Sequence, residues 1–339
     1  MTSVTEVSLV SGSVPTVLLV LGILGALWLL IARSRRYLLR AVPVCLVVAA
    51  ALTAGLYWIV EKVWRPFPDP IETQVYVYIG IGIAALLLMV PRILVARRWY
   101  TRILGVLAAL VVVACVAAQI NVVFAYYPTV GDALGVSAEN RIDFAAVPGP
   151  TANPVSGRPL EEHWDPPAGQ PALGRTTEAP IPGTASGFDA RPAQIYLPPA
   201  YFTDPRPLLP VLVLLAGQPG EPSDWLKGGE LVSTMNTYAL QHKGLAPVVV
   251  VADGTGSAMA NPLCVDSPLG NVDTYLATDV PAWIKANLQV NTDPSAWAVG
   301  GLSYGGTCAL QLATNHPDVY PTFVDLSGQL EPTLGDRDR

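Results

Sequence analysis

Residues 300–306 read Gly-Gly-Leu-Ser-Tyr-Gly-Gly. Within them, Gly301-Leu302-Ser303-Tyr304-Gly305 has the form G-x-S-x-G, the pattern of a serine held at the tip of a sharp strand-to-helix turn. A serine hydroxyl placed there attacks carbonyl carbon once a neighbouring base takes its proton. The flanks agree. Ala296-Trp297-Ala298-Val299 is an apolar run of buried-strand type, and Thr307-Cys308-Ala309-Leu310-Gln311-Leu312-Ala313 predicts a helix. Strand and helix pass so close at such a turn that side chains at Gly301 and Gly305 would collide, whereas glycine has no Cβ to clash. The helix start also aims N–H groups at the place where an oxyanion forms.

A second donor is expected from Ala216-Gly217-Gln218-Pro219-Gly220, which follows the strand-like run Pro210-Val211-Leu212-Val213-Leu214-Leu215. An oxyanion hole of this kind uses the N–H after the nucleophile and one from the loop after the third strand. Those are the backbone N–H groups of Tyr304 and Gln218, with an ordinary turn as the other reading of this loop.

With these residues in place the chain resembles the esterase branch of the α/β-hydrolases, which includes esterase D and the mycolyltransferases of actinobacterial envelopes. The resemblance runs from roughly Ala193 to Gly328. It rests on Ile195-Tyr196-Leu197-Pro198-Pro199, Leu214-Leu215-Ala216-Gly217, Val249-Val250-Val251-Ala252-Asp253-Gly254 and the serine motif. It implies a mostly parallel sheet with flanking helices, Ser303 as nucleophile, and Tyr304 and Gln218 as oxyanion donors. Ala216-Gly217 departs from the His-Gly or Asp-Gly often found in that loop.

The rest of the catalytic machinery is not evident. In this fold the triad follows the order Ser…Asp/Glu…His. Beyond Ser303 the chain holds His316, near the far end of the expected helix. At 1.5 Å per residue that is about 20 Å away, whereas a base must lie within about 3 Å. His163 and His242 precede the nucleophile, and Asp325 at the end of the next expected strand is a weaker candidate acid. Strands are expected near 193–197, 210–215, 247–252, 296–300 and 322–326, which leaves no residues for the last strands of a complete hydrolase. The expectation is therefore a hydrolase domain incomplete at its C-terminus, through truncation rather than natural loss, with triad acid and base outside the chain.

Stepping outward from the serine, the composition is 51% hydrophobic and only 14% charged, and the apolar excess lies in the first 127 residues. Four stretches, roughly 13–32, 41–60, 75–95 and 104–125, reach the 20 or so residues that span a bilayer. Arg33, Arg35, Arg36 and Arg40 lie between the first two, and Arg92, Arg97, Arg98 and Arg102 flank the link between the last two. The opposite side holds Lys62 and Arg65. The positive-inside rule then places both arginine links in the cytoplasm and everything after residue 127 outside. The first span reads as an anchor rather than a cleaved signal. Gln119 and Asn121 in the fourth are expected to bond to neighbouring helices.

Residues 1–127 form a four-span membrane domain, 128–180 a Pro/Gly-rich linker, and 181–339 the hydrolase domain. The first part carries ten basic and four acidic residues; the remainder carries ten and 22. A net charge of −12 beyond residue 127 argues against nucleic acid as a partner. No metal-ligand spacing or phosphate loop is present, and no cofactor is expected. Cys264 and Cys308 are candidates for a disulfide in an oxidising compartment. The chain thus reads as a membrane-anchored, extracytoplasmic serine esterase or acyltransferase, with the lipid bilayer as partner and an envelope acyl or aminoacyl ester as substrate. The other reading is a non-catalytic scaffold or binding protein with a degenerate hydrolase domain.

Overall fold

The computed structural model describes residues 7–32, 34–65, 70–134 and 140–332, and the chain divides into two units, Met1–Val136 and Ser137–Arg339. Arg33 lies outside the described residues, as do 333–339 of the tail.

The first unit is built on four apolar helices. They are α1 (Ser13–Leu30), α2 (Val42–Trp58), α3 (Thr73–Val95) and α4 (Trp99–Phe124). Short π-helical turns, Tyr37–Ala41 and Ile59–Trp64, extend α2 into one apolar helix of 28 residues. All four are long and apolar enough to cross a membrane. Their packing inverts that of a water-soluble bundle. Glycines and alanines such as Gly22, Gly25, Ala85 and Ala109 lie in the contacts beside a few large residues such as Leu29 and Leu88, whereas Leu24, Val47, Leu94 and Leu107 face outward. A Cβ on Gly25 would stand 2.9 Å from the Ala108 carbonyl oxygen, so glycine there lets the backbones of α1 and α4 approach closely. Helices apolar on every side belong in lipid or in a larger protein core. Asn121 departs from its expected role. Its Nδ2 donates to the Tyr127 carbonyl at 2.9 Å and its Oδ1 accepts from Tyr127 N–H at 2.8 Å. The amide closes the turn after its own helix, where Ala125 is left-handed, rather than reaching a neighbour. A one-turn helix, α5 (Val130–Ala133), follows under a capping box from Thr129 and Asp132.

The second unit is a six-stranded sheet whose central strands are covered on both faces. Its strands are β1 (Arg175–Ala179), β2 (Ala193–Leu197), β3 (Val211–Leu215), β4 (Val248–Ala252), β7 (Trp297–Leu302) and β8 (Thr322–Leu326), in the order β1-β2-β4-β3-β7-β8. The remaining β5 (Asp266–Ser267) and β6 (Gly270–Asn271) form a separate small hairpin. β4, β3, β7 and β8 run parallel, while β2 and β1 are antiparallel to their neighbours. Val213 pairs with Val250 on one side and Val299 on the other. The central strands are continuous apolar runs because neither face meets water. Val248 to Val251 are all buried. Helix α7 (Leu231–Gln241) packs against Leu214, Val249 and Val251. On the other face, Ile284 of α9 (Val280–Asn287) and Leu312 of α10 (Tyr304–Asn315) meet Val213, Val250 and Val299. The short α8 (Val272–Thr274) leads into α9.

The Pro/Gly-rich stretch 128–180 is not a free linker. Its first residues belong to the first unit and 137–180 to the second. Val155 N–H donates to the Arg206 carbonyl at 2.8 Å, and Leu208 N–H returns the bond to Val155 at 2.8 Å. Trp164, in the residue after the one-turn α6 (Leu160–His163), is buried and donates its Nε1–H to the Lys243 carbonyl at 3.1 Å. The stretch ends in β1, a sheet strand. Proline removes the periodic signal of such a segment, yet its backbone is tied to the unit at these points.

Candidate active site

Ser303 stands between the last residue of β7 and the first of α10, with φ 55° and ψ −117°. Positive φ is costly for a residue with a side chain and persists only where the surroundings impose it. Here they do. A Cβ on Gly301 would overlap the Gly305 backbone, and one on Gly305 would run into the Leu215 and Ala216 carbonyls. The turn is thus wedged between its own helix and the end of β3. Ser303 N–H donates to the Leu326 carbonyl of β8 at 2.7 Å, and the Ser303 carbonyl accepts from Thr307 N–H at 3.0 Å. Gln329 N–H donates to Thr307 Oγ1 at 2.8 Å, which secures the chain beyond β8 to the same helical turn. The serine itself is half-buried, not sealed in the core.

Tyr304 opens α10, where the first N–H groups of a helix have no partner within it. Its side chain turns away from the serine. The phenol donates to the Gly254 carbonyl at 3.0 Å and accepts from Cys264 N–H at 3.1 Å, and burial raises its pKa. Cys264 and Cys308 are disulfide-bonded, with Cα atoms 5.4 Å apart. The loop after β4 is thereby attached to the first turns of α10 twice.

The loop after β3 lies beside the nucleophile. A Cβ built on Gly217 would stand 3.6 Å from Ser303 Cβ and 3.4 Å from the Leu302 carbonyl oxygen. Gln218 follows directly, and its Nε2 donates to the Met259 carbonyl at 3.0 Å. Pro219 has no N–H, and Gly220 N–H is taken by the Ala258 carbonyl at 3.1 Å. Ser303, Tyr304, Gln218, Gly301 and Gly305 therefore come together at the C-terminal ends of the parallel strands.

The histidines do not join them. His316 is the residue after α10, and its Nε2 lies 2.8 Å from Asp273 Oδ2. The 12 residues of that helix lie wholly between it and Ser303, a separation of about 20 Å. His242 follows α7, ahead of β4, at the opposite end of the sheet from the serine. Its Nδ1 is 3.3 Å from Glu161 Oε2, and its ring stacks on Tyr238 with centroids 4.1 Å apart. His163 belongs to the same end, next to Trp164. Asp325 pairs in register with Gly301, but its Oδ1 accepts from Gly328 N–H at 2.7 Å within its own turn. Among the described residues no group of three or more His, Cys, Asp or Glu side chains is placed to hold a metal ion.

One pair at this end escaped the sequence reading. Asp253, the residue after β4, is buried and receives Arg191 Nε at 3.0 Å and Nη2 at 2.7 Å. Desolvation pushes the carboxyl pKa up, but hydrogen bonds from Arg191 and then from Thr255 N–H outweigh it and hold it below the usual range. The sequence signal was an aspartate closing the run Val248–Ala252. Its cation lies 62 residues earlier, where spacing cannot reveal it.

Residues 189–335 match the family model described as "Putative esterase". This part of the chain is similar to that esterase family. An uncharacterized protein of Corynebacterium glutamicum is 42% identical over 298 residues, covering 86% of this chain and 66% of that protein. The match is longer than the esterase unit and so reaches into the helical one. Diacylglycerol acyltransferase/mycolyltransferase Ag85C of Mycobacterium leprae is 40% identical over 63 residues, 19% of this chain and 18% of that protein. The chain thus spans just under two thirds of the first relative's length and less than a fifth of the second's. Among solved structures, a ferulic acid esterase aligns over 46% of this chain and 58% of its own, at TM-score 0.42 and 19% identity.

Proposed function

We propose that the chain is a membrane-anchored serine esterase or acyltransferase whose esterase unit works outside the cytoplasm on an acyl or aminoacyl ester of the cell envelope. The observation that carries the chemistry is Ser303 at positive φ on a glycine-walled turn, with the loop of Gln218 alongside. In this reading Ser303 Oγ attacks the ester carbonyl, forming a C–O bond as its proton passes to a base. The oxyanion is received by the N–H groups of Tyr304 and Gln218. Collapse of the tetrahedral intermediate expels the alcohol and leaves an acyl-serine, which water or a second hydroxyl then cleaves. Since none of the three histidines lies at this end of the sheet, the base comes from outside the described residues.

The anchoring half of the proposal is supported by the four apolar helices and by the basic residues clustered in two of their links. The acyltransferase option is supported by the mycolyltransferase relative. The absence of a histidine near Ser303 among the described residues favours a second reading, a scaffold with a degenerate hydrolase unit. Fluorophosphonate labelling of the full-length protein separates the two. Labelling should occur and should vanish in Ser303→Ala. An unlabelled wild type supports the scaffold, and labelling that survives in Ser303→Ala rejects this serine.

A further inference from the structure

We infer that Arg191 is a positioning residue for the loop that carries Gln218, acting through the Gly220 carbonyl. The inference rests on the esterase reading of Ser303 and goes beyond it by naming what sets the oxyanion loop. Arg191 divides its donors between two loops. Its Nε and Nη2 grip Asp253 Oδ2 and Oδ1, and Nη2 also donates to Thr255 Oγ1 at 2.8 Å. Its own backbone N–H adds a bond to Asp253 Oδ2 at 2.8 Å. Asp253 is in turn held by the N–H groups of Thr255 and Gly256, each at 3.1 Å. The guanidinium is therefore fixed in direction, and one hydrogen of the remaining amino group, Nη1, is donated to the Gly220 carbonyl at 3.0 Å.

The register makes this contact matter. Leu215 of β3 pairs with Ala252 of β4, so Asp253 and Ala216 leave the sheet side by side, and the two loops start at one level. The 216–220 loop is further joined to the loop after β4 by Gly220 N–H to Ala258 and by Gln218 Nε2 to Met259. Both acceptors are backbone carbonyls of a loop that Asp253 itself organises. Arg191 is thus the rigid element through which the buried strand end sets where Gly220, and two residues before it Gln218, stand against the Ser303 turn. A planar fork is needed for this. Lysine offers one compact charge and cannot hold both Asp253 oxygens while reaching Gly220.

The test compares wild type, Arg191→Lys, the double variant R191Q/D253N and Ser303→Ala, all in the full-length protein. Arg191→Lys keeps the charge pair with Asp253. The double variant removes both charges, so neither leaves a buried charge alone. With p-nitrophenyl butyrate, both should lose about 100-fold in kcat, as a loop displaced by about 1 Å would, with KM within about twofold. Amide hydrogen exchange gives a readout independent of turnover. Protection of the Gly220 N–H, held by the Ala258 carbonyl of the neighbouring loop, should fall about tenfold as the loop loosens, while β3 and β4 stay protected. Unchanged kcat together with unchanged Gly220 protection overturns the inference. Hydrolysis that persists in Ser303→Ala overturns the esterase reading instead, and the exchange result still decides the role of Arg191.

Discussion

The Asp253 carboxyl is almost wholly out of water, with 1% of its side chain exposed. An acid in that position is ionised only because Arg191 and the Thr255 N–H bond to it. Its folded pKa lies below its unfolded value of about 3.9, which fixes the sign of its pH dependence. The pairing contributes in full above the unfolded value and is lost as pH falls through the depressed folded one. Asp279 behaves likewise, its burial outweighed by hydrogen bonds from Ser186 and Ala185. Asp253→Asn should therefore destabilise the esterase unit at neutral pH by about 3 kcal/mol, the cost of stranding a partly buried cation. Thermal melts from pH 7 down to pH 2 would show the gap between variant and wild type closing below about pH 4. A constant gap would mean that the substitution acts through packing rather than charge.

At the scale of elements, strand β8 stands apart from the rest of the sheet. It is an edge strand among the described residues, and Phe323, Val324 and Leu326 are all exposed. An edge strand whose one acid, Asp325, is turned to its own Gly328 N–H leaves its apolar residues as a template for pairing with another chain. Val324→Lys should therefore reduce self-association of the protein in light scattering without lowering its melting temperature. Persistent association at the wild-type level would show that this edge is not the contact. The sheet also shows which elements could be read from residues alone. The runs 210–215 and 247–252 are apolar throughout because they are buried on both faces, and that leaves an unmistakable signal. β1 left none. Its residues Arg175-Thr176-Thr177-Glu178-Ala179 are mostly polar and follow a proline-rich stretch, so a strand made by pairing with β2 looks like the end of a linker. At the site the difference is the same. Glycines that meet backbone within their own turn announce themselves, whereas Arg191 and Asp253 are joined only by the fold.

For the molecule as a whole, the question is which side of a membrane the esterase unit occupies. Each pair of flanking helices is joined by an arginine-bearing link, Arg35, Arg36 and Arg40 after α1, and Arg97, Arg98 and Arg102 around the step from α3 to α4. Basic residues in short links resist translocation and stay cytoplasmic, while acidic residues count for little. Under the proposed anchoring, an even number of spans puts the stretch before α1 and the esterase unit on the side opposite those links. Protease added to intact cells should accordingly remove the esterase unit and leave a membrane-bound fragment of the helices, seen with a tag in the arginine-bearing link between α1 and α2 and lost with a tag at the C-terminus. Exchanging Arg35, Arg36 and Arg40 for glutamate should weaken this preference, and adding arginines to the link around Lys62 should reverse it in part of the population. An esterase unit that is protected in intact cells and digested only after lysis would place it in the cytoplasm. The disulfide would then face a reducing solution, and an envelope ester could not be its substrate.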